Sequence, residues 1–262
     1  MNRFIDSIAV VTGAGSGIGE QTAIQLAEQG ARVVLVGRTP SKLERVADTI
    51  NNSFPEPVAD IFQADVTKEE EVQELGKFIQ QKYGDLHVLV NNAGASGKST
   101  ILEMEASEWE RIQDTNLKSV FLVSKILGKM IIESSEKEEQ NENKANRSIV
   151  NVASLSGHKA GAKIPHYSSS KAAVINFTKA LAVEFAPYGI RVNSVSPGFA
   201  ETPLTEEGLK NKRFEEAIQR NTALNRVGKP EEIASVISFA ASSEASYMTG
   251  TDLLVDGGWL VT

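Results

Sequence analysis

The chain has 262 residues, 41% of them hydrophobic and 23% charged, which suits a folded protein with a sizeable core and permits a single α/β domain. Its net charge of -7 argues against a nucleic-acid partner. With no cysteine, disulfides, thiol chemistry and Cys-ligated metals are excluded, and the three histidines (His87, His158, His166) lack paired ligand spacing, so no metal is expected. The N-terminus, M-N-R-F-I-D-S-I, does not read as a signal peptide because Asp6 interrupts its apolar run. No stretch of 18 apolar residues occurs either, so a cytoplasmic protein with no membrane span is the expectation.

The first run, residues 8–12 (I-A-V-V-T), is short, apolar and β-branched, as a buried parallel strand should be. It enters G-A-G-S-G-I-G, with Gly13, Gly15, Gly17 and Gly19. A helix over 18–29 and a strand over 32–37 follow. In such a βαβ unit the helix N-terminus faces a pyrophosphate, and the glycines let the backbone approach it. The rhythm repeats with a helix over 41–52, a strand over 59–64, a helix over 68–83 and a strand over 86–90 running into N-N-A-G. A long helix over 107–133, a strand over 149–153, a helix from Tyr167 to about Pro187 and a strand over 190–195 come next. A helix over 231–241 and a strand over 252–255 close the pattern. Gly30, Gly84 and Gly189 each end a helix just before a strand. The alternation predicts an α/β doubly wound parallel sheet of about seven strands, with helices on both faces, in one domain spanning 1–262. The polar segment 133–147 (E-S-S-E-K-E-E-Q-N-E-N-K-A-N-R) reads as a solvated loop at the amino ends of the strands.

The chemistry concentrates between Asn151 and Lys171. Tyr167 and Lys171 are four apart, so on a helix they share a face. An ammonium beside a phenol favours the phenolate. At ~4 Å and an effective dielectric of ~20 the pair is worth ~4 kcal/mol, enough to bring a tyrosine from pKa ~10 to near ~7. Acid–base transfer is efficient there. Ser154 stands at the carboxyl end of a strand, where ligands bind in α/β sheets. Alone, Y-x-x-x-K is a weak signal.

Together these motifs make the chain resemble the short-chain dehydrogenase/reductase family over nearly its whole length, and with it a Rossmann-like fold. Thr12 to Gly19 (T-G-A-G-S-G-I-G) resembles the family's cofactor turn, which assigns cofactor contacts to Gly13, Ser16, Gly17, Ile18 and Gly19. Asp65, with Val66 beside it, matches the residue that holds the adenine amino group. Asn92, Ala93 and Gly94 belong to N-N-A-G; Pro197, Gly198 and Thr202 match the segment that closes on the nicotinamide carboxamide. Ser154, Tyr167, Lys171 and Asn116 match the catalytic set, Tyr167 and Lys171 also meeting the cofactor. The resemblance implies that Tyr167 moves the proton, Lys171 lowers its pKa and bonds the nicotinamide ribose, Ser154 stabilises the substrate oxygen, and Asn116 holds a water that relays protons.

The second predicted strand ends in Gly37-Arg38, with glycine where an acidic residue would accept the ribose hydroxyls of NAD. An arginine fork suits a phosphate, so NADP(H) is favoured and NAD(H) remains open. The segment 199–226 reads as short helices forming a substrate lid, with Leu204 and Leu209 as an apolar cover. V-G-K-P-E-E-I-A (227–234) and the D-G-G ending look most like 3-oxoacyl-[acyl-carrier-protein] reductases. In these a basic pair docks the carrier; here one position is Lys129 and the other is Tyr188. A sugar, polyol or other small-alcohol dehydrogenase stays open, as does a catalytically idle nicotinamide-binding regulatory module. The resemblance also implies a homotetramer. Phe121, Val123, Leu181 and Phe185 on the two long helices are either core or subunit contacts. The near P-loop A-S-G-K-S (95–99) lacks its first glycine, and His158 and His166 read as ordinary loop histidines.

Overall fold

The computed structural model describes residues 2–137 and 145–262. The apolar runs form β1 (Ile8–Thr12), β2 (Arg32–Gly37), β3 (Ala59–Gln63), β4 (Val88–Asn91), β5 (Arg147–Val152), β6 (Ile190–Pro197) and β7 (Asp252–Val255). They build one seven-stranded sheet in the order β3-β2-β1-β4-β5-β6-β7, and every pairing is parallel. This is the doubly wound, Rossmann-like α/β fold expected from the alternation.

The helices are α1 (Gly17–Glu28), α2 (Pro40–Asn51), α3 (Glu69–Lys82), α4 (Ala106–Gln113), α5 (Ser119–Lys137), α6 (Pro165–Phe185), α7 (Glu206–Leu209), α8 (Lys212–Asn221) and α9 (Pro230–Ala241). Strand side chains alternate between two cores, as a period of two requires. Ala9, Val11, Val33 and Leu35 pack with Leu26 of α1, Val46 of α2 and Ile237 of α9. Val10, Val34 and Val36 pack on the other face with Ile79 of α3, Leu127 of α5 and Leu181 of α6. Gly30, Gly84 and Gly189 all adopt positive φ at the helix ends. The order reverses between β1 and β4, and a crevice opens at the carboxyl ends of these two strands, as it does at such switch points.

Two sequence expectations need correction. The helix read over 107–133 is two helices joined by a five-residue π-helical segment, Asp114–Lys118. The second of them continues to Lys137, into the stretch read as loop. Ser134 and Ser135 are buried on it; Ser134 bonds the Asp85 carboxylate and the Ser135 hydroxyl donates to Tyr188 O at 2.7 Å. Arg147, read as the loop's end, begins β5 and is buried. It donates to both carboxylate oxygens of Asp85, at 2.7 and 2.9 Å, and to Leu86 O at 2.7 Å. Composition alone marks these polar residues as solvated, but each has a hydrogen-bond partner that offsets its desolvation. The remainder of the proposed loop, 138–144, lies outside the described residues.

Candidate active site

The glycine turn and N-N-A-G are joined by Thr12, the last residue of β1. Its hydroxyl accepts the Asn92 and Ala93 N–H groups, both at 3.0 Å. Asn92 Nδ2 returns a bond to Thr12 O at 3.0 Å. Only glycine fits where α1 crosses this junction: a Cβ on Gly19 would stand 2.3 Å from Asn92 Nδ2 and 2.4 Å from Gly13 O. The Ser16 side chain does not cap α1, so the first N–H groups of the helix remain available to an anion. An uncapped helix start, a glycine turn with no side chain in the way and the adjoining crevice together fit a dinucleotide pyrophosphate.

A cavity of about 350 Å³ collects the expected residues. Gly13, Ser16, Gly17 and Ile18 line it on one side; Asn92, Ala93 and Gly94 form its floor. Ser154, Tyr167 and Lys171 stand opposite, with Pro197, Gly198 and Thr202 over them. Arg38, Asp65 and Val66 lie outside it, at the ends of β2 and β3. Arg38 is exposed. Burial alone would raise the Asp65 pKa, but two bonds from Thr67 and the nearby Arg38 charge hold it below the usual carboxylate range. Thr12 as a clamp and Ser96, Leu155 and Ile164 on the cavity wall were not foreseen from the sequence, whereas Phe199, the first residue of the expected lid, does line the cavity. Leu204 lines the cavity as expected, whereas Leu209 does not. Phe199 is fixed by ring contacts with Phe214 and Trp259, at 5.6 and 4.9 Å between centroids. That apolar backing could be foreseen only from the pairing of the lid with the C-terminus.

Tyr167 and Lys171 sit one turn apart on α6, and Ser154 faces the phenol within hydrogen-bonding reach. The Ser154 hydroxyl accepts the Ser156 N–H at 3.1 Å, which leaves its own proton free to donate. The Lys171 ammonium is buried and donates to Val152 O at 2.8 Å; it lies 5.9 Å from the centre of the Tyr167 ring. Here the electrostatic expectation is corrected. Burial raises the Tyr167 pKa above its ordinary value, and Ser154 offsets only part of that. Burial also lowers Lys171 to about 8. Desolvation wins because the ammonium points at a backbone carbonyl and not at the phenol oxygen.

Asn116 is fully buried on the π-helical segment. Its Oδ1 accepts the Ala95 N–H at 2.8 Å, and its Nδ2 donates to Ala95 O and Ser170 Oγ, both at 3.0 Å. The Ser170 hydroxyl donates in turn to Tyr167 O at 2.7 Å. The near P-loop resolves plainly: no helix follows Lys98, which is exposed, and the Ser99 hydroxyl is spent on Glu108.

A parallel sheet with a dinucleotide crevice, and a serine, tyrosine and lysine converging beside it, define an oxidoreductase that transfers hydride to or from carbon. The family model described as enoyl-(acyl carrier protein) reductase matches residues 13–260, and the chain belongs to this branch of the short-chain dehydrogenase/reductases, NAD(P)-dependent enzymes of CH–OH and C=O groups. It is 38% identical to 3-oxoacyl-[acyl-carrier-protein] reductase FabG of Thermotoga maritima over 259 residues, covering 99% of this chain and 100% of the relative. Cyclohexanol dehydrogenase of Acinetobacter sp. is 35% identical, with 98% of this chain and 96% of that one covered. The structure of a gluconate 5-dehydrogenase from Burkholderia cenocepacia in complex with NADP and tartrate superposes with a TM-score of 0.91 at 28% identity, covering 99% of this chain and 97% of the other.

Proposed function

We propose that the protein is an NADP(H)-dependent reductase of ketones, with 3-oxoacyl thioesters as its substrate class. The observation that carries this reading is the pairing of Tyr167 and Ser154 in one corner of the cavity. Two hydroxyls there can address a single oxygen, and the raised Tyr167 pKa keeps the phenol protonated at neutral pH. A protonated phenol is a donor, which suits reduction.

Bound nicotinamide would supply the hydride. Ser154 donates a hydrogen bond to the substrate oxygen and stabilises its developing charge. Tyr167 gives that oxygen its proton. Lys171 has one N–H spent on Val152 O and two left for a ribose hydroxyl and for the electrostatics of the phenol. Asn116 spends both amide hydrogens as a brace, so a relay water here would be held as a donor to its Oδ1 or its backbone carbonyl. The uncapped start of α1, Gly13 and Asn92 to Gly94 would hold the pyrophosphate side, and Asp65 the adenine. For the cofactor's extra phosphate the reading relies on Arg38, and on Lys42, whose stem packs over Gly15.

The thioester assignment follows the 3-oxoacyl reductases among the relatives. One observation favours a second reading, a free small ketone or alcohol such as a cyclic or polyol substrate. At the expected carrier-docking face Lys129 has Glu133 at 3.7 Å, and Tyr188 replaces the second basic residue. The reading also includes a homotetramer through α5, α6 and β7, supported by exposed Phe121, Val183 and Leu254. Val123, Leu181 and Phe185 are core.

The test is NADPH oxidation against a panel of 3-oxoacyl thioesters, diketones and sugars, with NADH in parallel. Turnover of thioesters with NADPH supports the proposal. Turnover only of free ketones selects the second reading, and NADPH binding with no turnover would mean an idle cofactor module.

A further inference from the structure

Among the buried titratable side chains that the chemistry above does not use, His166 stands next to the proton donor. His166 immediately precedes Tyr167 in the first turn of α6 and is fully buried, contrary to its reading as an ordinary loop residue. Its Nε2 lies 3.2 Å from Glu108 Oε1 on α4, and Glu108 Oε2 accepts the Ser99 hydroxyl at 2.6 Å. The Ser99 bond and His166 hold the Glu108 carboxyl below the usual range, so it is ionised, and Nε2 must carry the proton between them. Gly97 passes directly against the pair. A Cβ there would stand 2.3 Å from Glu108 Oε1 and 2.4 Å from His166 Nε2. The other ring nitrogen, Nδ1, is buried without a hydrogen-bond partner among the described residues. A buried polar atom in that state costs about 1–3 kcal/mol, which an apolar ring of similar size would avoid. That cost is of the same order as the about 1.5–3 kcal/mol that a hydrogen bond to a charged carboxylate contributes, so the histidine brings no clear net stability over an apolar ring.

What the pair does achieve is a connection. Ala95 and Ser96 line the cavity. Their segment is held at one end by Asn116, through Ala95 N–H, and at the other by Ser99, whose N–H donates to Lys163 O at 2.9 Å and whose hydroxyl reaches Glu108. Gln113 of α4 also donates to His166 O, at 3.0 Å. We propose that His166 and Glu108 are positioning residues, whose hydrogen bond ties the 95–99 segment of the substrate rim to the helical turn carrying Tyr167. The proton donor and the wall that orients the ketone then keep one separation. A misplacement of about 1 Å at a reacting centre costs up to ~10²-fold in rate.

This inference rests on Tyr167 being the proton donor, so its test includes a readout that does not. His166→Phe keeps the ring and removes the bond; His166→Gln keeps a donor near Nε2. Amide hydrogen exchange of the free proteins is followed at Ser99 and Ala95. In His166→Phe the Ser99 amide should exchange at least about tenfold faster, while the Ala95 amide, held by Asn116, is unchanged. With the ketone found by the panel, kcat should fall at least about tenfold at unchanged NADPH affinity, and His166→Gln should restore both readouts to within about threefold. Unchanged exchange at Ser99, or a glutamine variant no better than the phenylalanine, would overturn the proposal. Should no ketone be reduced, exchange still decides the tie while the functional reading fails separately. If His166→Phe does not fold, Ser99→Ala cuts the same link from the loop side; a kcat loss of at least about threefold supports the tie, and wild-type kcat refutes it.

Discussion

Lys171→Met isolates the energetic cost of the buried ammonium on which the site is built. The group is 4% exposed, and burial moves its pKa from 10.5 in the unfolded chain to about 8 in the folded one. A folded pKa below the unfolded value means that the full cost is present below about pH 8, where both states bind the proton. As pH rises from there towards the unfolded value, the folded state releases its proton first and stability increases. At about 1.36 kcal/mol per pKa unit the whole penalty is about 3 kcal/mol. Between about pH 7 and about pH 9.5 the linkage relation returns about 2 kcal/mol of it. Methionine has similar length and does not titrate. Urea unfolding of both proteins at the two pH values should therefore show the wild type gaining about 2 kcal/mol relative to the variant. Parallel pH dependence of the two, or a wild type that loses ground on going alkaline, would refute the argument that desolvation dominates this lysine.

Arg38→Ala should weaken NADPH binding at least about tenfold, equivalent to about 1.4 kcal/mol, and leave NADH binding unchanged; equal losses for both would instead place the guanidinium on the adenine. Gly128→Ala, where a Cβ would lie 2.8 Å from the Phe185 ring between α5 and α6, should destabilise by about 1–3 kcal/mol in urea, overriding the usual helical preference for alanine. An unchanged midpoint would show that Phe185 can yield.

Strands β1, β2 and β4 were readable because each is mostly a short apolar run, as a parallel strand covered on both faces tends to be. The glycine turn, N-N-A-G and the Ser154, Tyr167 and Lys171 set were readable because their types and spacings recur together. What the sequence hid is of a different kind. The π-helical turn at Asn116 leaves no trace in hydrophobic spacing, since one extra residue in a turn looks like noise in a period of 3.6. Ser134, Ser135 and Arg147 sit in polar company, and only their partners Asp85 and Tyr188, distant in the chain, explain their burial. The Tyr167 shift went the other way because spacing fixes which face Lys171 occupies but not that Val152 O captures its ammonium. His166 was hidden for the same reason: Glu108 lies 58 residues away.

The central claim is that the Tyr167 hydroxyl delivers the proton while the rest of the site binds and orients. Single-turnover oxidation of NADPH by the preferred ketone, measured on Tyr167→Phe beside a fluorescence titration of NADPH binding, tests it most directly. Cofactor affinity should stay within about twofold of wild type while the chemical step slows by at least about 10³-fold, or about 4 kcal/mol. A phenylalanine variant that reduces the ketone within about tenfold of the wild-type rate would contradict it.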